Sequence, residues 1–254
     1  MINGPGFDLT GKRALVTGAS SGLGAHFAAL LANQGADLIL AARRLDRLEE
    51  VAQPLRAMGR RVDTLSMDVS QPSSVTEAFA RLSAPADVII NNSGIGQSSW
   101  LLEMDEEEWQ NLQETNLNGV WRVAKAGINQ LRAAGRPGVV VNISSITAMR
   151  TALKSNAYAV TKAAVDHLTR ALAVEVARHG IRVNALAPGY FETDLNTAYL
   201  TSSSGQKMAE RVPMRRFGKL DELNLPLLTL ISDQCSYLTG ATLVVDGGHS
   251  VNPL

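Results

Sequence analysis

The feature that most constrains the fold of this chain is a regular alternation of short apolar segments with longer helical ones. The short segments are rich in Val, Ile and Leu and are apolar almost throughout, as expected of strands covered on both faces. They lie at residues 13–17, 37–42, 61–66, 87–91, 138–144, 181–187 and 242–245. Helices are predicted between them at residues 23–34, 45–58, 73–82, 105–134, 157–178 and 221–231. This alternation predicts an α/β fold in which helices cover both faces of a doubly wound parallel sheet of about seven strands.

No repeat, low-complexity tract or linker rich in Pro and Gly divides the chain. Because one sheet uses all the predicted strands, residues 1–254 are interpreted as a single domain. The segment 191–219 fits this scheme poorly, since it contains several charges and no strong period. A long irregular insertion in a compact domain is usually functional, and a lid over a substrate site is predicted here. Pro226 lies inside the last predicted helix, where it predicts a kink or a late start.

Charge, length and cysteine content exclude several classes of protein. The chain has 254 residues, with 24 Lys and Arg against 24 Asp and Glu, so its net charge is zero. A neutral chain does not attract nucleic acid over a distance. No apolar run approaches the ~20 residues of a membrane helix, and the N-terminus lacks the pattern of a secretion signal. Cys235 is single and the four His residues are scattered, so no metal site is predicted. A cytoplasmic protein that binds neither nucleic acid nor membranes is expected.

A glycine-rich turn follows the first predicted strand and leads into an apolar helix. Gly18 permits the sharp turn, Gly22 lets a pyrophosphate approach the backbone, and Gly24 allows the helix to pack closely on the strand. The first N–H groups of the helix suit an anion. Glycines also serve plain turns, but a strand, a G-x-x-x-G-x-G loop and a helix in this order favour a Rossmann-type dinucleotide site. The residues predicted to line it are Gly18, Ser20, Ser21, Gly22, Leu23 and Gly24.

The end of the second predicted strand indicates which dinucleotide binds. An NAD site usually has an acid here, which binds the ribose 2′-hydroxyl. This chain instead has Ala42, followed by Arg43 and Arg44. A carboxylate would repel a 2′-phosphate, whereas a guanidinium binds it through two hydrogen bonds, so the pattern predicts NADP(H). The alternative is that Arg43, Arg44 and Arg47 only form a solvated helix start, although cations at that end oppose the helix dipole.

Tyr158 and Lys162 lie four residues apart near the start of a predicted Ala-rich helix, so they share one helix face. A nearby ammonium group favours phenolate over phenol. Lys162 is therefore predicted to lower the pKa of Tyr158 and to fit it for proton transfer. A single pair of this kind is more often a surface pair, and it is the order of further motifs along the chain that favours a catalytic interpretation.

The ordered set of motifs resembles the short-chain dehydrogenase/reductase family in its single-domain form, and the resemblance runs over residues 9–248. As a set these motifs are highly specific, although each one alone is weak evidence. They comprise Thr17, Gly18, Gly22, Gly24, Asp68, Val69, Asn91, Asn92, Ser93, Gly94, Asn116, Ser145, Tyr158, Lys162, Asn184, Pro188, Gly189, Thr193, Asp246, Gly247 and Gly248.

The resemblance implies a catalytic role for four of these residues. Tyr158 would protonate a carbonyl oxygen during reduction, and Ser145 would hydrogen-bond the same oxygen. Lys162 would hold the nicotinamide ribose, and Asn116 would position a water that links Lys162 to solvent. Further residues implied to contact the cofactor are Asp68, Val69, Asn91, Gly94, Pro188, Gly189 and Thr193. The implied assembly is a homotetramer or a homodimer.

The activity implied by the resemblance is reversible, NADPH-dependent reduction of a ketone to a secondary alcohol. Substrate contacts are expected from residues 95–99, 147–153 and 190–199. We predict a neutral, hydrophobic substrate, because Met149, Leu153, Tyr190 and Phe191 suggest an apolar pocket with no fixed cation for a carboxylate or phosphate. The individual substrate residues predicted are Gln97, Met149, Leu153 and Tyr190.

Two alternatives remain open at this point. The sequence also resembles 3-oxoacyl-carrier-protein reductases of the same family, which need a basic surface near the mouth of the site. Arg136 and Arg178, and less strongly His179, are candidates for that surface. The second alternative is a catalytically silent, NADP-sensing regulatory protein. Loss of Tyr158, Lys162 or Ser145 would mark such a protein, and all three residues are present.

Overall fold

A parallel sheet forms the centre of the chain in a computed structural model that describes residues 7–97, 99–193 and 202–251. Its strands run in the order β3-β2-β1-β4-β5-β6-β7, and every described pairing is parallel. This order confirms the predicted α/β fold of Rossmann type. The strands are β1 (Arg13–Thr17), β2 (Asp37–Ala42), β3 (Val62–Ser66), β4 (Val88–Asn91), β5 (Gly138–Ile143), β6 (Ile181–Pro188) and β7 (Thr242–Val245).

Helices cover both faces of this sheet. No described helix is both long enough and apolar enough to span a membrane. The helices are α1 (Gly22–Asn33), α2 (Leu45–Ala57), α3 (Pro72–Ala80), α4 (Glu106–Gln113), α5 (Gly119–Ala133), α6 (Asn156–Val176), α7 (Ser203–Arg211) and α8 (Asn224–Ile231).

The strands pack on both faces, which explains why their segments are apolar almost throughout. In β1, Ala14 and Val16 belong to a core formed with α1, α2 and α8. Leu15, between them in the sequence, belongs to a second core formed with α3, α5 and α6. Ile39 of β2 joins Leu15 in that second core. Since successive side chains of a strand point to opposite faces, two separate cores hold the sheet between two layers of helices.

The helix predicted at 105–134 is interrupted. Between α4 and α5 the chain forms a π-helical turn at Glu114–Asn118, with Asn116 buried at its centre. Asp105 caps α4 by accepting a hydrogen bond from the Glu108 backbone N–H at 2.8 Å. The apolar spacing continues through the interruption, so the sequence pattern does not reveal the π turn. Such turns occur often at functional sites, because they change which side chains face a neighbour.

Pro226 shifts the start of the last helix, as predicted. Residues Leu220–Leu223 form a 3-10 turn, and the α-helix begins only at Asn224. Pro226 then lies in the first turn of α8, where its missing N–H leaves no helical hydrogen bond unmade.

The segment 191–219 is partly helical, so the prediction of an irregular segment is wrong for α7. Ser202 caps this helix by accepting a hydrogen bond from the Gly205 backbone N–H at 3.2 Å. A serine-rich helix start has the composition of a loop, which explains the error. The two ends of the segment meet, since Gly218 N–H donates to the Tyr190 carbonyl at 2.9 Å. Residues 194–201 lie outside the described part of the chain, and the role of a lid stays a prediction.

The strand order reverses between β1 and β4. From β1 the chain proceeds outward through β2 and β3, and it then returns to form β4 on the other side of β1. In open α/β sheets, ligands bind in the crevice outside the carboxyl ends of the strands at such a reversal. The glycine-rich turn after β1 and the loop after β4 border this crevice.

Candidate active site

The glycine-rich turn between β1 and α1 closes tightly. Gly18 and Gly22 have φ angles of +64° and +53°, a backbone region that side-chain-bearing residues rarely adopt. A Cβ atom added to Gly24 would collide with the Gly18 carbonyl oxygen and lie 2.6 Å from Asn92 Nδ2. The predicted close packing of α1 on the turn therefore holds in the structure.

Thr17 and Asn92 fasten this turn to the loop after β4. The Thr17 hydroxyl accepts hydrogen bonds from the backbone N–H groups of Asn92 and Ser93, both at 3.0 Å. The Asn92 amide donates to the carbonyls of Thr17 at 3.0 Å and Gly18 at 3.3 Å. Both residues belong to the family motifs, but no role is predicted from the sequence for either side chain, although a polar Thr17 at the end of an apolar strand is an available signal.

The start of α1 fits a pyrophosphate group. The helix begins at Gly22, and the first-turn N–H groups of Gly22, Leu23 and Gly24 have no partner within the helix. Ser21, at the N-cap position, makes no side-chain cap to a described residue. Unsatisfied N–H groups at a helix start, next to a turn without side chains, bind phosphate readily. Ser20 and Ser21 lie in the turn itself, where the sequence predicted them.

Arg43 and Arg44 follow the end of β2, and both are exposed. Within the described residues neither guanidinium forms an ion pair, whereas Arg47 pairs with Glu50 at 2.8 Å. The alternative interpretation, that these arginines only form a solvated helix start, therefore fits Arg47 better than it fits Arg43 and Arg44. An unpaired guanidinium beside the crevice fits a 2′-phosphate.

Asp68 and Val69, predicted to contact the adenine, follow β3. The Asp68 carboxylate accepts hydrogen bonds from the Ser70 hydroxyl at 2.7 Å and the Ser70 N–H at 3.0 Å. Arg122 of α5 donates to the Val69 carbonyl at 3.2 Å. It also pairs with Glu114 of the π turn at 2.6 Å, and this bond lowers the pKa of Glu114. The loop after β3 is thus tied to the helix that carries Asn116.

Ser145 and Tyr158 come together beyond the carboxyl end of β5. Ser145 is buried, and its Oγ accepts hydrogen bonds from the Thr147 N–H at 3.1 Å and the Thr147 hydroxyl at 3.0 Å. Tyr158, in the first turn of α6, is half-buried, and its phenol lies near the Ser145 hydroxyl, which acts on the pKa of Tyr158. Two adjacent hydroxyl groups at one edge of the crevice form a donor pair for a single substrate oxygen.

The predicted direction of the Tyr158 pKa shift is wrong. Burial raises the pKa of Tyr158 and the nearby Tyr190 adds to the increase, while the hydrogen bond with Ser145 opposes it. Lys162 does not reverse this, because its Nζ donates to the Ile143 carbonyl at 2.8 Å and lies 5.6 Å from the centre of the Tyr158 ring. The phenol therefore stays protonated at neutral pH, the state that a proton donor requires.

Lys162 and Asn116 converge on Gly94. The buried Asn116 amide accepts a hydrogen bond from the Ile95 N–H at 2.8 Å and donates to the Ile95 carbonyl at 2.9 Å. A Cβ atom on Gly94 would lie 3.3 Å from Asn116 Oδ1 and 3.7 Å from Lys162 Nζ. The absence of a side chain at Gly94 keeps open the space beside these two polar groups.

Burial lowers the pKa of Lys162 to about 8, and Asp166 partly opposes this shift. In the unfolded chain the pKa returns to its ordinary value of 10.5, so the unfolded state binds more protons between pH 8 and pH 10.5. Stability contributed by this group must therefore rise with pH. Relative to Lys162→Met, the wild-type free energy of unfolding is expected to rise by about 3 kcal/mol across that window. Urea unfolding of both proteins at several pH values measures it, and parallel curves would contradict the shift.

Two of the predicted cofactor residues make hydrogen bonds within the protein. The Asn91 amide donates to Asn142 Oδ1 at 2.9 Å and is buried, so its side chain serves the protein interior. Pro188 ends β6, and Gly189 N–H donates to the Val245 carbonyl at 2.9 Å. Thr193 is half-buried at the border of the described residues.

The predicted substrate residues occupy different environments. Met149 and Leu153 are 51% and 82% exposed, so they are free to contact a ligand. Tyr190 lies between the rings of Phe217 and His249, with centroid distances of 6.1 and 5.7 Å. The Gln97 amide oxygen is instead bonded to the backbone of α6. Residues 98 and 194–199 of the expected substrate loops lie outside the described part of the chain.

The basic residues proposed for a carrier-protein surface lie elsewhere. Arg136 and Arg178 precede β5 and β6, so they are at the amino edge of the parallel sheet, opposite Ser145 and Tyr158. Arg136 is paired with the buried Asp87, which precedes β4. Arg178 contacts the neighbouring His179 at 3.3 Å. The expectation that these groups border the mouth of the chain's own site is therefore wrong.

Comparison with known proteins agrees with this geometry. A family model described as enoyl-(acyl carrier protein) reductase matches residues 18–250. The short chain dehydrogenase/reductase astE of Aspergillus oryzae is 39% identical over 257 residues, covering 96% of this chain and 97% of that protein. The chain belongs to the short-chain dehydrogenase/reductase family. As a short-chain dehydrogenase/reductase it is an oxidoreductase that acts on an alcohol or a carbonyl group with a nicotinamide cofactor.

Other members of the short-chain dehydrogenase/reductase family are similar over nearly the full length. The 3-oxoacyl-[acyl-carrier-protein] reductase of Pseudomonas aeruginosa is 37% identical over 244 residues, covering 94% of this chain and 98% of that protein. The crystal structure of a gluconate 5-dehydrogenase from Burkholderia cenocepacia, in complex with NADP and tartrate, superposes with a TM-score of 0.91. It is 35% identical, and the match covers 97% of this chain and 98% of that one.

Proposed function

We propose that the protein catalyses the reversible, NADPH-dependent reduction of a ketone to a secondary alcohol. The observation that carries this proposal is the pair of neighbouring hydroxyl groups of Ser145 and Tyr158, near Lys162 and Asn116. A hydroxyl pair at one point supplies two donors to one oxygen, which is what a carbonyl needs as negative charge develops on it.

Each of the four residues has a defined task in this proposal. Ser145 orients the carbonyl oxygen by a hydrogen bond, and Tyr158 gives its phenolic proton to that oxygen. Lys162 holds the nicotinamide ribose, and Asn116, fixed at both ends of its amide by Ile95, holds a water for proton resupply. The bound nicotinamide supplies the hydride in the reductive direction. Because burial raises the pKa of Tyr158, the chain alone favours the protonated form used in reduction.

Arg43 supports NADPH over NADH. Its guanidinium is exposed, and no described carboxylate pairs with it. We expect Arg43→Ala to raise the KM for NADPH about 10- to 100-fold, because a charge-assisted pair of hydrogen bonds to the 2′-phosphate is lost. The KM for NADH, which has no 2′-phosphate, should remain unchanged. Arg47→Ala is the matched control, since Arg47 is already paired with Glu50. An unchanged KM for NADPH in Arg43→Ala would remove Arg43 from the cofactor site.

For the substrate, the apolar side chains around the mouth favour a neutral, hydrophobic ketone. Met149 and Leu153 are exposed there, as are Trp100 and Leu101 of the loop after β4. The runner-up is a 3-oxoacyl thioester on a carrier protein, as in the Pseudomonas aeruginosa relative. The Burkholderia cenocepacia relative indicates a third candidate substrate, a keto acid derived from gluconate. Arg150 and Lys154, in the segment before α6, carry positive charges that would attract its carboxylate.

Turnover followed at the nicotinamide absorbance tests the proposal. NADPH and NADH are compared on a hydrophobic ketone, a 3-oxoacyl thioester and a keto acid of gluconate. Fastest turnover of the hydrophobic ketone with NADPH is expected. Preference for either of the other substrates would correct the substrate class, and tight NADPH binding without any turnover would favour a regulatory sensor.

We further propose that the protein forms a homotetramer or a homodimer and is located in the cytoplasm. Trp109 of α4 and Trp121 of α5 are both partly exposed, and large exposed indole rings are typical of subunit contacts. The molar mass in solution, measured by light scattering, distinguishes the two assemblies.

A further inference from the structure

Gln97 joins the loop after β4 to the start of the helix that carries Tyr158. Its side-chain oxygen accepts hydrogen bonds from the backbone N–H groups of Ala157 at 3.0 Å and Tyr158 at 3.2 Å. Its side-chain nitrogen donates to the Ser99 carbonyl at 3.1 Å, so both ends of the amide are held. One side chain thus connects the loop that borders the cofactor crevice with the backbone of the proton donor.

The start of α6 has little other capping. Ser155 is at the N-cap position, but its hydroxyl donates to the Ala152 carbonyl at 2.7 Å instead of accepting from the helix. The first turn of α6 contains no acidic residue. N–H groups at a helix start need an acceptor, and the loss of a capping group costs on the order of 1 kcal/mol. Gln97, 60 residues before Ala157, provides the acceptor that the local sequence does not.

A second contact joins the same two segments. The Lys154 ammonium lies 5.1 Å from the centre of the Trp100 ring, so the chain just before α6 is held against the chain just after Gln97. Lys154 has a φ of +55°, in the left-handed region. This turn brings the helix start back toward the loop after β4.

We propose that Gln97 is a positioning residue for Tyr158: its neutral amide oxygen caps α6 at the Tyr158 N–H and fixes the phenol against Ser145. The inference rests on the proposed function, in which Tyr158 gives the proton. It replaces the expectation that Gln97 contacts the substrate. A neutral acceptor adds no charge near Tyr158, whereas an anion held at the Tyr158 N–H would disfavour loss of the phenolic proton.

Two substitutions separate the two properties of this amide. Gln97→Met keeps the length of the side chain and removes the acceptor, whereas Gln97→Glu keeps the acceptor and adds a negative charge. Gln130→Met is the matched control, since Gln130 is also half-buried and makes one amide bond, to the Phe79 carbonyl at 2.9 Å, away from Tyr158.

The pKa of Tyr158 is measured first, without turnover. Phenolate absorbance is titrated in each variant and in its Tyr158→Phe counterpart, and the difference isolates Tyr158. The groups that face this phenol are Ser145 from the loop after β5, Tyr190 from the loop after β6 and Lys162 from α6 itself. Gln97→Glu is expected to raise the pKa of Tyr158 by about one unit, because a new negative charge is held at the backbone N–H of the same residue. Gln130→Met is expected to leave it unchanged.

Steady-state kinetics with NADPH and a ketone then test the positioning. Gln97→Met is expected to lower kcat about tenfold through misplacement of the phenol, with the dissociation constant for NADPH unchanged. Gln97→Glu is expected to have a kcat close to that of the wild type only at low pH, where the new carboxyl group is protonated and uncharged. If both Gln97 variants show the same Tyr158 pKa and the same kcat as the wild type, the inference is overturned. If the wild type turns over no ketone, the proposed function fails, while the Tyr158 titration still decides whether Gln97 sets the environment of the phenol.

Discussion

Substitution of Tyr158 by Phe is expected to lower kcat for ketone reduction by about a thousandfold, because the proposed proton donor is the phenolic hydroxyl and Phe has none. The ring is retained, so the packing of the half-buried side chain in α6 should survive. The dissociation constant for NADPH should therefore remain that of the wild type. Stopped-flow or steady-state turnover, with NADPH binding followed by its fluorescence, measures both quantities.

Tyr237→Phe is the matched control for this experiment. Tyr237 is fully exposed and precedes β7, so the same loss of a hydroxyl occurs at the opposite edge of the sheet. Its turnover should equal that of the wild type. If Tyr158→Phe keeps more than a small fraction of wild-type turnover, the proton comes from another group. If the wild type shows no turnover and Tyr158→Phe binds NADPH as the wild type does, the sensor alternative gains support.

Gly24→Ala is expected to produce the second large effect, a loss of NADPH affinity of about 100-fold, which corresponds to about 3 kcal/mol. The added methyl group would collide with the Gly18 carbonyl oxygen and approach Asn92 Nδ2 to 2.6 Å. Either α1 moves away from the turn or Asn92 loses its hydrogen bonds, and both outcomes displace the N–H groups that are proposed to hold the phosphates. Overpacking of this kind also lowers the free energy of unfolding by about 1–3 kcal/mol.

Fluorescence titration with NADPH and thermal unfolding measure these two changes. Gly96→Ala is the control, since a Cβ atom there meets nothing within 4 Å, although Gly96 lies in the loop that borders the same crevice. It should bind NADPH as the wild type does. Wild-type affinity in Gly24→Ala would show that the turn tolerates a displaced helix and that its close packing is not what holds the cofactor.

The fold was predictable because it follows from patterns that are local in sequence. Strands buried on both faces are apolar at every position, and Ala14, Leu15 and Val16 show this directly, since neighbours enter opposite cores. The order of the motifs then indicated which ends of the strands carry the site. The same argument could have placed Arg136 and Arg178, since a residue that precedes a parallel strand lies at the amino edge.

What the sequence could not provide is the set of bonds between segments far apart in the chain. Gln97 caps a helix that begins 59 residues later in the sequence, at Asn156. Asn92 holds a turn formed 74 residues earlier. The pKa of Tyr158 is set by burial and by Tyr190, which no spacing of Tyr158 and Lys162 reveals. In each case the chemistry of one residue depends on a neighbour that only the folded chain supplies.

The π turn at Glu114–Asn118 has a consequence for the helix that contains it. Leu112, Asn116 and Val120 are all buried, at successive intervals of four residues, a spacing that drifts by only about 40° per step around a regular α-helix. The surplus residue allows an amide to enter an apolar stripe while α5 still directs Val123 and Leu131 into its core. Deleting one residue from the turn would rotate α4 against α5 by about 100°. The wider π turn alone therefore brings the Asn116 amide into the protein interior, and the helix is not broken there.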